Sequence, residues 1–501
     1  MSTHKKTVQT INRRDFLGMS LAGLGATLLS NCATWPARAA AQGSHPNVLF
    51  IAIDDLNDWI GCLGGHPSAL TPNIDRLAKR GVLFSNAHCQ APICGPSRAS
   101  LMSGLRPSTT GIYGQIKDEN IRRAGDATAN CTFLPEYLAK HGYKTMGVGK
   151  LFHHHAPEGV LEVSGGREKG FGPKPPERWK WDNKGTSTDW GPFPDRDEEM
   201  PDYRSAQWAI ERLHEDHERP FFLGVGFLRP HVPWHVPKKW FDLFDPEKLA
   251  LPPYLVDDYA DLPEIAIKLH EMPMMPTTDW AKKHNEWRNI VQAYLACVAF
   301  VDHYVGEVVN ALEQTAYAEN TVIVLWADHG YHLGEKNRFA KHSLWERATR
   351  APLIFAGPGI NGGKRCNKPA GMLDIYPTLL EVCGLPANRQ NEGHSLAPLL
   401  ANPNADWPYA AITTYGYKNH AVKTERYRYI VYENGAEELY EHEDDHHEWY
   451  NRASDPDYAN IKEQLRRHLP KKNAPWSRQA PLNVNDFFTE QQERTMADLG
   501  K

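Results

Sequence analysis

The 501-residue sequence has no surplus of basic charge: 56 Lys and Arg against 61 Asp and Glu leave a formal net charge of −5. Nothing in it marks a nucleic-acid footprint or a polybasic membrane patch, so no nucleic-acid partner is expected. The partner is expected to be a small or polymeric solute. No internal repeat and no low-complexity tract interrupts the chain. The N-terminal apolar stretch "FLGMSLAGLGATLLS" is too short to span a bilayer permanently. No integral membrane segment is therefore expected in the mature protein. Cysteine is scarce, with eight residues in all. What the chain does have is length enough for more than one core, because single cores stop growing at about 250 to 300 residues. It also has 24 His and 15 Trp. Those suit a polar pocket that moves protons and stacks sugar rings, although packing uses such residues equally well.

The short apolar run belongs to a targeting segment. Lys5, Lys6, Arg13 and Arg14 precede it, and Ala37, Ala39, Ala40 and Ala41 follow, the three-part layout of a signal peptide over residues 1–41. "NRRDFLG" resembles a twin-arginine export signal. A periplasmic or secreted protein is expected. Cys32 in "LLSNC" offers a lipoprotein site, but Asn31 is a poor small residue before it, so anchoring there is less favoured. Removal of the segment leaves Cys62, Cys89, Cys94, Cys131, Cys297, Cys366 and Cys383. An odd count singles out at least one thiol.

"PNVLFIAIDDL" is a continuous apolar run that ends in acid, as a buried parallel strand does at a sheet edge. "YKTMGVGKLFH", "PFFLGVGFLRPH", "NTVIVLWADHG" and "APLIFAGPG" repeat the pattern. Between them lie helices. "TPNIDRLAKRG" has Thr71 as N-cap, Pro72 at the first position and Gly81 as stop, and "NIVQAYLACVAFVDHYVGEVVNALEQ" is long and amphipathic. The alternation predicts an α/β fold with a large, mostly parallel, doubly wound sheet flanked by helices. Residues 156–202, rich in Gly, Pro, Trp and charge, read as a structured insertion over one face. From about residue 405 short alternating runs take over, which predicts a catalytic domain over 42–405 and a smaller α+β subdomain with an antiparallel sheet over 406–501.

Ligands of a doubly wound sheet bind beyond the carboxyl ends of its strands. That rule brings together Asp54 and Asp55, Lys150 and His153, His231, and Asp328 with His329. Cys94 joins them at the start of the helical "GPSRASLMSG", whose N-terminus offers free N–H groups to an anion. Three carboxylates in one place repel unless a cation is present, and hard oxygen ligands favour Ca2+ or Mg2+. Singly, an Asp pair after a strand is more often a turn or helix cap. The conjunction carries the reading.

"CGPSR" from Cys94 to Arg98, continuing to "LMSGLRP", resembles the signature of the type I sulfatases of the alkaline phosphatase superfamily, in which the cysteine is oxidised to formylglycine. "IDDL", "GVGKLFHH", "RPHVPW", "ADHGYHLGE" and "FAKHSLWE" follow in family order, most like the iduronate-2-sulfatase branch, and the likeness runs from Asn47 to about residue 450. His329 departs from the Asn commoner in arylsulfatases, as that branch does. The resemblance implies Ca2+ (or Mg2+) held by Asp54, Asp55, Asp328, His329 and the residue-94 oxygen. It also implies a hydrated aldehyde at 94 with one hydroxyl to attack sulfur and another whose collapse expels sulfate. Arg98 anchors that diol, Lys150 and Lys341 hold sulfate oxygens, His153 is the base and His231 the acid, with Lys341 sharing that role. A formylglycine-generating maturation enzyme and a sulfated oligosaccharide or polysaccharide, uronate-containing, are the implied partners.

Two rivals stand beside this reading: a phosphonate monoester or phosphodiester hydrolase of the same superfamily, and a non-catalytic glycan-binding relative. Other features have plainer readings. In "HHH" only His153 matches a motif. "ELYEHEDDHHEWYNRA" looks like a metal cluster but resembles a structural turn of the family. Trp179, Trp181 and Trp190 are sugar platforms or packing within the insertion.

Overall fold

The computed structural model describes residues 45–497. The expected export segment, residues 1–41 with Cys32, lies outside the described residues. In chain order the first strands are β1 (Asn47–Ile53), β2 (Gly81–Phe84), β3 (Ala87–His88), β4 (Lys144–Gly149) and β5 (Val163–Gly166). They are followed by β6 (Phe221–Phe227), β7 (Thr321–Ala327), β8 (Leu353–Ala356), β9 (Lys364–Cys366) and β10 (Ala370–Gly371). Eight of them form one sheet in the order β5-β4-β6-β1-β7-β8-β2-β9, while β3 and β10 pair separately. The large sheet is parallel apart from β8, which runs against both β7 and β2. Every residue of β1, β6 and β7 is buried. Helices cover both faces of such a sheet, so its strands read as unbroken apolar runs.

Register places the site. Ile53 of β1 pairs with Phe227 of β6 and with Ala327 of β7, so the next residues of all three strands emerge side by side. The helix Trp287–Glu313 is long and apolar enough to cross a membrane by length and composition, yet most of it is buried in the protein core. Its Asp302 accepts N–H bonds from Asn73 (3.2 Å) and Ile74 (2.8 Å). This carboxylate thus satisfies free donors at the start of the helix Pro72–Arg80. Pro72 does open that helix, but Thr71 makes no capping bond with its side chain. Its hydroxyl instead accepts the Gly61 N–H at 2.8 Å.

Beyond residue 410 the chain forms an antiparallel meander, β11 (Ala411–Thr414), β12 (His420–Lys423), β13 (Tyr427–Val431) and β14 (Glu437–Glu441). One face packs on Leu465 of the helix Ala459–Arg466. The other shares an apolar cluster with Ile93, Leu344 and Trp345, residues that flank Cys94 and Lys341 in the chain. The run "ELYEHEDDHHEWYNRA" contributes to that junction. Glu438 accepts from Trp345 Nε1 at 2.9 Å, and Glu448 pairs with Arg428 at 2.6 Å and His442 at 2.9 Å. All seven cysteines among the described residues are free thiols.

Candidate active site

Asp54 and Asp55 leave β1 where Asp328 and His329 leave β7. Asp55 has φ of 60°, a left-handed conformation that Asp tolerates better than most residues at a cost of order 1 kcal/mol. Two bonds hold it: its N–H donates to Asp328 Oδ1 at 3.1 Å, and its carbonyl accepts from Tyr294 at 2.8 Å. Cys94 opens the helix Cys94–Ser103 and is 1% exposed. Its Sγ lies 3.2 Å from His329 Nε2, 3.1 Å from Lys341 Nζ and 3.7 Å from Asp55 Oδ1. Ligand atoms of Asp54, Asp55, Cys94 and His231 all lie within 4.8 Å of one another, as do those of Cys94, Asp328 and His329. The five residues expected around a cation therefore converge.

Cations fill the spaces between the acids. Lys150 Nζ donates to Asp54 Oδ2 at 2.5 Å, and Lys341 Nζ donates to both oxygens of Asp55 at 2.7 and 3.1 Å. Arg98 reaches Asp328 Oδ2 at 2.8 Å and Asp54 Oδ1 at 3.3 Å, and also donates to the carbonyls of Lys150 and Leu151. Ser97 Oγ donates to the Asp328 carbonyl at 2.6 Å. Burial would raise the Asp54 carboxyl, but Lys150, His231 and Arg98 outweigh it and hold it well below the usual carboxylate range. At Asp55 burial wins over Lys341 and His329, and the carboxyl is raised. Burial opposes the charge of Lys341, yet Asp55, Cys94 and Asp54 hold it well above an ordinary lysine. Burial, with Asp54, pushes the Cys94 thiol up. A thiol that stays protonated at neutral pH is a poor nucleophile, so the sulfur as such is not equipped for attack.

The two histidines are buried beside the acids. His231 points Nδ1 at the Val232 carbonyl (2.5 Å) and Nε2 at Asp55 Oδ2 (3.9 Å). His153 is placed through Asp118, which accepts its backbone N–H at 3.1 Å, and its Nδ1 is buried without a partner. Burial, reinforced by neighbouring lysines, lowers both imidazoles well below their usual range. Both are neutral at pH 7. His154 and His155 are exposed and join no cluster of metal-ligating side chains among the described residues. Trp181 and Trp190 pack edge-on against Trp280, and Trp179 packs edge-on against His235.

Sequence reasoning missed Phe171. Its ring lies flat on His231, 3.9 Å between centroids and 3° between planes, with Lys150 Nζ 5.0 Å from its centroid. A lone Phe in a segment without periodicity gives no signal. It also missed Gly226 of β6. A Cβ there would collide with the backbone of Lys150, so only glycine lets the end of β4 lie this close.

Buried carboxylates, ammonium groups and imidazoles gathered at the ends of parallel strands suit a hydrolase of an anionic ester. The chain belongs to the sulfatase family, hydrolases of sulfuric esters, as its motifs predict: residues 46–385 match the sulfatase model and 334–474 that of the N-sulphoglucosamine sulphohydrolase C-terminal region. A sulfatase of Formosa agariphila is 49% identical over 95% of this chain and 97% of its own. Iduronate 2-sulfatase of Mus musculus is 30% identical over 70% and 71%. A Delta 4,5-hexuronate-2-O-sulfatase of Bacteroides thetaiotaomicron is 28% identical over 84% and 88%. Among solved structures, a 2-O GAG sulfatase aligns at TM-score 0.64 with 24% identity over 91% and 94% of the two chains. The phosphonate monoester hydrolase of Agrobacterium radiobacter aligns at 0.68 with 22% identity over 87% and 99%, a likeness of fold.

Proposed function

We propose that this sulfatase removes sulfate from a uronate-containing sulfated glycan or oligosaccharide, after Cys94 has been oxidised to formylglycine. The observation that carries the reading is the setting of Cys94: buried at a helix start, protonated, and in contact with Lys341 and His329. The relatives that act on hexuronate sulfate and iduronate sulfate support the substrate class. The donor set fits a hard divalent cation, Ca2+ or Mg2+, since Asp54, Asp55 and Asp328 supply carboxylate oxygens and His329 adds one nitrogen. Such an ion supplies Lewis acidity and positive charge for the sulfate. Formylglycine, when hydrated, supplies a nucleophilic hydroxyl at position 94.

The side chains do the rest. Three carboxylates are balanced by Arg98, Lys150 and Lys341, so a bound divalent ion turns the pocket positive and draws in an anionic ester. Lys150 and Lys341 are fixed by Asp54 and Asp55 before substrate arrives, and their ammonium groups stabilise charge that grows on sulfate oxygens without reorganising. His231 keeps its proton on Nδ1, held by the Val232 carbonyl, so its bare Nε2 is free to accept the proton that the attacking hydroxyl at position 94 would release and to pass it to the leaving ester oxygen. His153, neutral and unpartnered at Nδ1, is the base for the second step.

The test is a panel of defined sulfated oligosaccharides with product analysis, run beside a phosphonate monoester. Sulfate release from uronate-containing members is expected, with the phosphonate ester poorer. Cys94→Ala and Asp328→Ala are each expected to lower sulfate release by at least about 1,000-fold. Mass spectrometry of the peptide around residue 94 is expected to find the aldehyde, and added Ca2+ is expected to raise Tm of the unsubstituted protein but not of Asp328→Ala. Full turnover by Cys94→Ala, or an unmodified Cys94 in active protein, overturns the mechanism. Export to the periplasm or beyond, proposed from residues 1–41, is checked by fractionating the native host.

A further inference from the structure

The insertion carries a charge that the chemistry above does not use. Arg167 follows Gly166, the last residue of β5, and its guanidinium lies 5.4 Å from the centroid of Phe171, the ring that also meets His231 and Lys150. The strap bearing Phe171 is pinned. Its carbonyl accepts from Arg229 Nη1 at 2.7 Å, and Gly172, at φ of 94°, lies close against the same guanidinium. Phe171 thus stands between Arg167 and the His231 and Lys150 side chains of the site.

Arg167 has no ionic partner there. Among the described residues no carboxylate comes within ion-pair distance of it, and its neighbour Glu168 is taken by Arg204 at 2.8 Å. Its Nε is buried without a hydrogen bond, and Nη2 reaches only the Gly170 carbonyl at 3.2 Å. Burial lowers its pKa from the ordinary arginine value, and the charges that act on it belong to the site: Asp54 and Asp118 favour its ionised form and Arg98 opposes it. Further out, Arg167 and Lys117 both bear on the exposed His154, so positive charge continues from the pocket towards solvent. A buried guanidinium donor with nothing to bond costs stability unless a ligand completes it. The reacting sulfate already has the ammonium groups of Lys150 and Lys341.

We infer that Arg167 binds a second anionic substituent of the substrate, a carboxylate or sulfo group on the sugar that carries the reacting ester. The planar fork of a guanidinium matches either group with two parallel hydrogen bonds. This deepens the glycan reading and rests on it. The orphan Nε and the absence of a protein carboxylate are what a substrate group would repair.

The experiment compares a 2-O-sulfated uronate disaccharide with its carboxyl-reduced counterpart, and a disulfated with a monosulfated hexosamine disaccharide, on the full-length enzyme. In the unsubstituted protein, kcat/KM is expected to favour the more anionic member of at least one pair by about 100-fold. Arg167→Gln is expected to shrink that ratio to about threefold or less, and Arg167→Lys, which keeps the charge but loses the fork, to leave an intermediate ratio. The lysine variant, and a preference that weakens with added salt in the unsubstituted enzyme, carry the test if the glutamine variant does not fold. Which pair responds distinguishes carboxylate from sulfo group. If no disaccharide is cleaved, the glycan reading fails, and the ratio of their inhibition constants against 4-nitrophenyl sulfate turnover tests Arg167 independently. A preference that persists in Arg167→Gln, or an unsubstituted enzyme with no preference in either pair, overturns the proposal.

Discussion

Arg98 illustrates how one side chain can organise a site from behind. Its guanidinium is completely buried and joins Asp328, Asp54 and two carbonyls of the segment that carries Lys150. The family resemblance implies that it anchors the diol; the contacts described here make it equally the clamp that fixes two acids and a lysine relative to one another. Removing one partner of a buried ionic group leaves the others uncompensated, and such losses run to about 3 to 5 kcal/mol. Arg98→Met is therefore expected to lower stability by about that amount, read as a large fall in Tm, besides abolishing activity. A Tm within a degree or two of the unsubstituted protein would show that Asp54 and Asp328 need no internal cation.

Among elements, the contact between β4 and β6 decides where Lys150 points. Lys150 N–H donates to the Gly226 carbonyl at 3.0 Å, and Gly149 turns with φ of 73° against the same residue. Gly226→Ala is expected to push the β4 end outwards and lower kcat by about 100-fold while leaving the sheet folded, because displacements of an ångström at a reacting centre cost that much. Unchanged kcat with normal circular dichroism would mean that the strand end gives way harmlessly. This element also marks what sequence could reveal. Buried parallel strands announce themselves as apolar runs, and the polar residue that stops each run sits at the sheet edge, so Asp54, Asp55, Lys150, Asp328 and His329 were legible. The reversal of β8 was not, since "APLIFAGPG" has the same pattern in either direction. Phe171 and Arg167 were illegible for another reason. Phe171 is placed by Arg229, 58 residues away in the chain, and Arg167 meets the Phe171 ring, so no local period marks either.

For the molecule as a whole, the junction between the α/β core and the antiparallel sheet is rich in buried neutral histidine. His270 packs on Trp345 at 3.9 Å, His342 bonds the Tyr415 hydroxyl at 3.1 Å, and His332 bonds Ser343 at 2.8 Å. Burial lowers these three, and His88, well below the usual imidazole range, and lowers His420 to about 4. As pH falls below about 6.5 the unfolded chain takes up protons that the folded chain refuses, so folding stability is lost at about 1.4 kcal/mol per pH unit for each such group. Burial also raises the carboxyls of Asp118, Asp202, Asp302 and Asp374 to about 6, which opposes part of that loss as pH falls. Tm is expected to be flat from pH 8 to 7 and to fall from pH 6.5 to 4.5 less steeply than the imidazoles alone would dictate, and His420→Gln should reduce the slope. An unchanged slope in His420→Gln would mean that this imidazole is charged in the native state.

The packing of the segment from Cys94 to Arg98 also sets a timetable. Cys94 is 1% exposed, Ser97 and Arg98 are fully enclosed, and both of the latter are bonded to Asp328, a residue more than 200 positions later in the chain. With β7 docked beside β1 that sulfur is enclosed, so the oxidation proposed for Cys94 would come early, in the interval between synthesis of residue 94 and docking of the strand that ends at Ala327. A molecule that folded first would keep its thiol.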